Sequence, residues 1–300
     1  MMSVDVRRSQ PLADEVKDEL SVSVLKGRLP SAAIVSCFLL GVVALLAAAA
    51  PAIAPYDIAD QSLLTRLRAP VFAGGTTEYL LGTDHLGRDV LSRLLLATRT
   101  TLLIAGAGVL VGVVTGTISG LISGTLGGWI DQSFMAVVDA QAAVPVTLVA
   151  LTAVALAGTH PLVLVLIVGL SDYYKYARVV RGQVLALKGR SFIEAARCSG
   201  ASPWRIALRH ILPNTFSPVI VLASLSFAEI VVLESSLSFL GVGVQPPNVS
   251  LGSLLGEARN YLITTSWLAI FPCVVIVAIT LAASMIGDWL RDSLDPRSRA

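Results

Sequence analysis

Charge is scarce in this sequence. Of its 300 residues only 14% are Asp, Glu, Lys or Arg, whereas 55% are hydrophobic; a soluble domain carries about 25% charged residues. The net charge of +2 gives no indication of a nucleic-acid partner. The three cysteines (Cys37, Cys198 and Cys273) have neither metal-ligand spacing nor the pattern of a disulfide framework. The composition therefore excludes an ordinary soluble domain and a disulfide-stabilised one.

The short motifs of common catalytic sites are also missing. The sequence has no Gly-x-x-x-x-Gly-Lys-Ser/Thr phosphate-binding loop, so the chain is not expected to hydrolyse ATP by itself. It has neither a His-Glu-x-x-His zinc motif nor a Gly-x-Ser-x-Gly nucleophile motif. We therefore predict a chain that is not an enzyme, has no catalytic residues and binds no metal ion or cofactor.

Four long stretches contain no Asp, Glu, Lys or Arg. Each exceeds the roughly 20 apolar residues that cross a hydrocarbon core about 30 Å thick. They are residues 29–56, 100–130, 140–171 and 260–287. We predict an all-α membrane protein with six transmembrane helices, at about residues 30–50, 101–123, 133–157, 161–176, 215–240 and 266–286. The first is interpreted as an uncleaved span, because about thirty residues precede it and it is longer than a typical signal sequence.

Lysine and arginine are distributed unevenly between the two sides of the predicted membrane. Sixteen of the 22 lie in the two tails or in the region 175–210, and six lie on the other side. Because cytoplasmic segments collect Lys and Arg, both termini and the loop 177–213 are predicted to be cytoplasmic. The predicted organisation is a cytoplasmic tail (1–29), a first transmembrane helix (30–54), an external segment (55–98), a transmembrane core (99–287) and a cytoplasmic tail (288–300). Within the external segment, residues 83–95 are predicted to form a short amphipathic helix.

A helix, a sharp corner and a second helix are predicted in the loop 177–213. Ser191 and Glu194 have the Ser-x-x-Glu spacing of a capping box, which starts a helix. Gly200 suits the left-handed residue that ends it. Ser202 can cap the next helix, with Pro203 at its first position. Taken alone, these features are equally compatible with an ordinary basic surface loop.

The spacing of this segment resembles a known motif. Glu194, Ala195 and Ala196, followed by Gly200 and then by Leu212 and Pro213, are similar to the EAA loop of ATP-binding-cassette (ABC) importer permeases. Residues 81–93, 176–183, 237–247 and 287–297 also resemble the oligopeptide/dipeptide/nickel branch, and in particular its second, "C-type" permease. Departures from the usual pattern occur at Val249, Leu251 and Ser266, near the predicted external face.

The resemblance implies a type I ABC importer permease fold, with a five-helix core and an added N-terminal helix, in a bacterial inner membrane. By resemblance the EAA residues couple the permease to ATPases. The implied partners are a homologous second permease, two ATPase subunits or one fused ATPase, and an extracytoplasmic solute-binding protein. ATP and Mg would bind to the ATPases. Dipeptides, oligopeptides, glutathione, nickel and haem-like cargo all remain possible solutes.

The main alternative is an ATP-independent secondary transporter or channel. Such transporters are commonly built from internal repeats, and the two halves of this sequence show none. An intramembrane enzyme is disfavoured by the missing catalytic motifs. Copurification of an ATPase would distinguish the importer from both.

A glycine recurs at every fourth residue in the second predicted span. In a membrane such a row lets two helices approach closely, so this face should not contact lipid. The row could be a sliding seam or a static packing surface. Its members are Gly108, Gly112, Gly116, Gly120 and Gly124.

Three carboxylates fall inside predicted spans. Asp139 lies near the inner end of the third span, and Glu229 and Glu234 lie in the outer half of the fifth. Ionisable residues in spans are candidates for a translocation pathway. They could equally be structural groups paired with polar neighbours.

Overall fold

The computed structural model describes residues 31–294, and that part of the chain folds into helices joined by loops. In chain order the helices are α1 (Ser31–Ile53), α2 (Val90–Leu126), α3 (Gly128–Ala143), α4 (Val146–Ala157), α5 (Pro161–Lys188), α6 (Ser191–Cys198), α7 (Pro203–Ile206), α8 (Leu212–Phe239), α9 (Leu251–Ala258) and α10 (Trp267–Leu294). A π-helical turn, Ala207–Ile211, joins α7 to α8. The predicted N-terminal tail (1–29) and residues 295–300 of the predicted C-terminal tail lie outside the described residues.

Four helical stretches are long and apolar enough to cross a membrane, within the described range: α1, α2, the continuous stretch from α7 through α8, and α10. The bent pair of α3 and α4 would supply a fifth span. The remaining predicted span corresponds to α5, whose apolar sequence is interrupted by Asp172, Lys175 and Arg178. The all-helical membrane fold is confirmed, and α5 differs from the other spans in carrying charge.

The predicted single helix at 133–157 is wrong. The chain breaks between α3 and α4, whose axes differ by 96°. Proline restricts the residue before it to extended conformations, and Val144, which precedes Pro145, has φ −100° and ψ 133°. Pro145 itself has no N–H to donate to a continuing helix. By contrast, Pro51 lies inside α1, which continues to Ile53.

The predicted amphipathic helix at 83–95 is only half correct. Helix α2 begins at Val90, where the Asp89 side chain accepts a hydrogen bond from Ser92 N at 2.7 Å. Residues 83–89 form a loop because Asp84 Oδ1 accepts hydrogen bonds from the backbone N–H groups of Leu86 (2.8 Å) and Arg88 (3.0 Å). Leu91, Leu94 and Leu95, whose spacing suits a helix, therefore belong to the first turns of the 37-residue helix α2.

The glycine row lies between α2 and α5. All five glycines are buried, and each faces atoms of α5. A methyl group on Gly108 would lie 2.8 Å from a methyl of Val168, and one on Gly124 would lie 2.7 Å from Val184 Cβ. Only hydrogen fits between the two helices along this line, so their backbones approach closely over about four helical turns.

Apolar packing extends from this seam to the other long helices. Ile230 on α8 and Ile279 on α10 are 1% and 0% exposed and share a core with residues of α2, α5 and α9. Helix α1 packs against α2 and α10 at the margin. Val249 and Leu251 are also buried in this core, so their departures from the usual pattern alter packing rather than an accessible surface.

Candidate coupling and pathway sites

Two residues, Gly189 and Arg190, connect α5 to α6. The predicted capping box is wrong: Arg190, with φ −84° and ψ 142°, is the N-cap, and no side-chain cap hydrogen bond forms. Ser191 is therefore already the first helical residue. Glu194 remains in the first turn of α6, where its negative charge interacts favourably with the helix dipole.

A buried isoleucine anchors α6 to the rest of the chain. Ile193 is 0% exposed and packs in a cluster that includes Val184 of α5 and Ile206 of α7. Glu194 and Ala195 are exposed on the surface of α6. One face of α6 is thus fixed to the core while another is accessible to a second protein.

Three other residues of the EAA motif differ from Glu194 and Ala195 in exposure or in the helix on which they lie. Ala196 is half-buried and packs against the Ile193 cluster, so it is only partly accessible. Leu212 is half-buried against the same cluster. Pro213, in the first turn of α8, is exposed.

The corner after α6 has the conformation that the sequence predicted. Gly200 has φ +80°, the left-handed region that glycine adopts without steric cost. Its N–H donates to Arg197 O at 3.0 Å, which satisfies a carbonyl at the end of α6. Ser202 then caps α7 by accepting a hydrogen bond from Arg205 N at 3.3 Å, and Pro203 is the first residue of that helix.

Three large apolar side chains near this corner were missed by sequence reasoning. Phe192, Trp204 and Leu208 are 45%, 47% and 57% exposed. Exposed apolar groups among charged residues are typical of protein-interaction surfaces. The sequence did contain a signal for them: large apolar residues recur between the basic residues of the predicted cytoplasmic loop 177–213.

Glu234 is enclosed within the chain. It is 1% exposed, and its two carboxyl oxygens accept hydrogen bonds from the hydroxyls of Thr101 (3.1 Å) and Ser238 (2.7 Å). Thr101 also accepts a hydrogen bond from Leu251 N at 3.1 Å. Of the two interpretations left open for Glu234, this geometry favours the structural one: the carboxyl group ties α8 to α2 and to the start of α9.

The other two carboxylates pair with cations of α5. Lys175 contacts Glu229 of α8 and also Asp172, one turn earlier on α5, at 2.9 Å. Arg178 donates to Asp139 of α3 at 2.7 Å. We call these five residues the charged row.

The charged row lies about halfway along α5 and in the second half of α3 and α8. At a rise of 1.5 Å per residue, Lys175 is about 21 Å from the start of α5. The side chains of Glu229 and Asp139 are 59% and 67% exposed, so this face is not covered by the described part of the chain. Charged side chains are costly in hydrocarbon, so this exposed face is poorly suited to contact with lipid.

A second charged cluster fixes the loop before α2. Arg93 donates to both carboxyl oxygens of Glu257 on α9, at 2.7 and 2.8 Å. Arg88 bridges Asp84 and Glu257, at 2.7 Å to each. His85 also lies 3.9 Å from Glu257. Asp84, His85 and Glu257 could together offer atoms to a metal ion, but the two arginines already balance both carboxylates.

Both carboxyl groups of this cluster are held in the ionised form. Burial disfavours the Asp84 carboxylate, but Arg93 and Arg88 outweigh burial and lower the pKa of Asp84. For Glu257 burial is likewise outweighed by the hydrogen bonds and charge of Arg93, and its pKa is lowered. The cluster therefore joins the loop at 83–89 to α9 at neutral pH.

Comparison with known proteins gives the same class as the motifs. The chain is 38% identical over 246 residues to the glutathione transport system permease protein GsiD of Pectobacterium atrosepticum, covering 82% of this chain and 80% of that protein. It is 40% identical over 245 residues to GsiD of Shigella flexneri and 38% identical over 245 residues to GsiD of Escherichia coli O157:H7, with the same coverage. These relatives are transport permeases rather than enzymes.

Residues 112–300 match a family described as the inner membrane component of binding-protein-dependent transport systems. This match spans the glycine row from Gly112 onward, α5, the EAA motif and α8 to α10. It decides against an ATP-independent transporter or channel, and it implies partnership with ATPase subunits and a substrate-binding protein. The chain therefore belongs to the family of binding-protein-dependent transport system inner membrane components, the multi-pass permease subunits of ABC importers, as its motifs predicted.

Proposed function

We propose that this permease forms one half of the translocation pathway of an importer for short peptides or glutathione. The proposal is supported by the relatives, which are named as glutathione transport permeases and are 38–40% identical to this chain. The resemblance to oligopeptide and dipeptide permeases at residues 81–93 and 237–247 points to the same solute class. Nickel and haem-like cargo receive no support from these relatives.

The single observation that carries the pathway is the exposed charged row. Its face of α3, α5 and α8 cannot lie against hydrocarbon. Helices α1 and α10 expose a different kind of surface: Ile34 and Phe38 of α1 and Val274 and Leu281 of α10 are apolar and 53–71% accessible. We infer that α1 and α10 face lipid, and that the charged row faces a homologous second permease across a water-filled path.

The coupling function is assigned to the surface formed by α6 and the residues around Gly200. Glu194 and Ala195 are exposed there beside Phe192, Trp204 and Leu208, so the surface combines a helix face with apolar contacts. We propose that an ABC ATPase docks on it, either as one of two subunits or as half of a fused chain. ATP and Mg would bind to that ATPase, and a solute-binding protein would dock on the opposite side of the membrane.

We propose that both termini and the EAA segment are cytoplasmic. The uneven distribution of Lys and Arg supports this orientation. Three of the cations counted there (Lys175, Arg178 and Arg181) are paired with carboxylates of α3 and α8, but the asymmetry remains without them. The test is to introduce Ser62→Cys or Ser202→Cys into a cysteine-free chain. An impermeant thiol reagent applied to intact cells should label position 62 only, and labelling of position 202 would overturn the orientation.

The whole proposal is tested by reconstituting the permease with its second permease, its ATPases and its binding protein in vesicles. We expect the ATPases to copurify with this chain, and binding protein with solute to stimulate ATP hydrolysis and uptake together. Short peptides and glutathione are the solutes to compare. Failure of any ATPase to copurify, or uptake that persists without ATP, would contradict the proposed coupling.

A further inference from the structure

The charged row is not electrically balanced. It contains three carboxylates (Asp139, Asp172 and Glu229) but only two cations (Lys175 and Arg178). The next ion pair toward the end of α5, between Arg181 and Asp131, is bidentate at 2.6 and 2.7 Å and is neutral as a pair. The row therefore contains one more carboxylate than it has cations.

One oxygen in the row also lacks a hydrogen-bond partner. Asp172 has a side chain that is 10% exposed. Its Oδ1 contacts Lys175, whereas its Oδ2 is buried without a partner among residues 31–294. A buried polar atom without a partner costs about 1–3 kcal/mol, and such atoms in native proteins call for an explanation. Together with the additional carboxylate, the unpaired acceptor points to a cationic hydrogen-bond donor outside residues 31–294.

An aromatic ring lies at the same place. The Tyr174 ring is 5.9 Å from Lys175 Nζ and 5.7 Å from Arg178 Cζ. The faces of aromatic rings attract ammonium groups. The surroundings of the row thus combine exposed carboxylates, an unpaired acceptor and a ring, which are the groups that bind a primary amine.

We propose that the charged row binds the ammonium group of the solute as it passes through the permease, with Glu229, Asp172 and Asp139 as the acceptors. This inference rests on the proposed pathway, and it deepens that proposal by naming a chemical class: solutes with a free amino group, such as peptides with an unmodified N terminus. Lys175 and Arg178 hold the carboxylates in place between transport events, so the row remains ion-paired when no solute is present.

The test measures the local electrostatic potential and needs no identified solute. Ala143 is exposed and lies one turn after Asp139 on α3, so the two share a helix face. Ala143→Cys is introduced into a chain whose own three exposed cysteines are replaced by serine (Cys37, Cys198 and Cys273). The assembled complex in vesicles is then treated with the positively charged aminoethyl or the negatively charged sulfonatoethyl methanethiosulfonate, and the two modification rates are compared.

We expect the rate with the positively charged reagent, divided by the rate with the negatively charged one, to be higher at position 143 than for a free thiol in solution. Asp139→Asn should reduce that ratio roughly fivefold, because the carboxylate one turn before the thiol is lost. Glu229→Gln should act in the same direction and provides a second variant if Asp139→Asn does not assemble. The matched control is Glu78→Gln, which removes an exposed carboxylate near Arg68 and should leave the ratio unchanged.

The possible failures are distinguishable. The ammonium site would be overturned if position 143 reacted with the two reagents at the same ratio of rates as a free thiol and if neither variant changed that ratio. The water-filled pathway would remain supported, because both reagents reach the thiol. A thiol that reacts with neither reagent would show that the face is closed to water, which contradicts the pathway itself. A preference for the negatively charged reagent would assign the row to anions and refute the inference directly.

Discussion

The closeness of α2 and α5 can be tested at Gly116, where the two helices leave no room for a side chain. A methyl group on Gly116 would lie 2.5 Å from Tyr173 O and 2.5 Å from Tyr176 Cβ, whereas ordinary contacts begin at 3.4 Å. Neither neighbour can move by rotating a side chain, because one is a backbone oxygen and the other a Cβ. Gly116→Ala must therefore push the helices about 1 Å apart, at a cost of about 1–3 kcal/mol by analogy with overpacked cores.

The assay is the thermal midpoint of the assembled complex in detergent, together with uptake in vesicles. The matched control is Gly106→Ala on the same helix, since a methyl group there meets nothing within 4 Å. Alanine at that position should be neutral or stabilising, because it favours helix by up to about 1 kcal/mol over glycine. Gly116→Leu should be worse than Gly116→Ala, and Leu110→Ala, at a 63% exposed position, should be mild. Equal midpoints for Gly116→Ala and Gly106→Ala would refute the close packing.

Three further changes have defined outcomes. Gly200→Val should reduce solute uptake relative to stimulated ATP hydrolysis, because a β-branched residue is poorly tolerated at φ +80°; Gly189→Ala, at φ −90°, should not. The pKa of Asp84 is lowered in the folded chain, so its contribution to stability is complete above the unfolded pKa of about 4 and is lost as pH falls through the folded pKa. Thermal midpoints should therefore drop in acid, and Asp84→Asn should reduce that drop. Glu234→Ala should destabilise by about 1–3 kcal/mol, because buried hydroxyls lose their acceptor, whereas Ser236→Ala at an exposed position should have little effect on the midpoint.

Features set by neighbouring residues were predictable from the sequence. The left-handed Gly200 and the cap formed by Ser202 and Pro203 follow from local chemistry, and the structure shows both. The glycine row was visible as a period of four. The break at Pro145 was also present in the sequence, but the apolar run on both sides of it concealed the consequence of the proline.

Features that depend on distant residues were not predictable. Lys175 and Glu229 are 54 positions apart, and no pattern in either helix indicates that they meet. The predicted helix at 83–95 was correct from Val90 onward, but its start depended on which side chain accepts hydrogen bonds from the backbone of the preceding loop. Asp84 and Asp89 both could have done so; Asp89 caps the helix and Asp84 folds the loop.

Helix α5 connects the features to which we assign a function. One face packs against the glycine row over its whole length, so α2 and α5 should move as one body. Another face carries Lys175 and Arg178, whose partners Glu229 and Asp139 lie on α8 and α3. Only Gly189 and Arg190 separate α5 from α6, so a displacement of α6 is transmitted directly to α5. Helix α5 is packed closely on α2 but is joined to α3 and α8 through exposed ion pairs. We therefore expect a displacement of α6 to change the distances within the charged row first and those along the glycine row least.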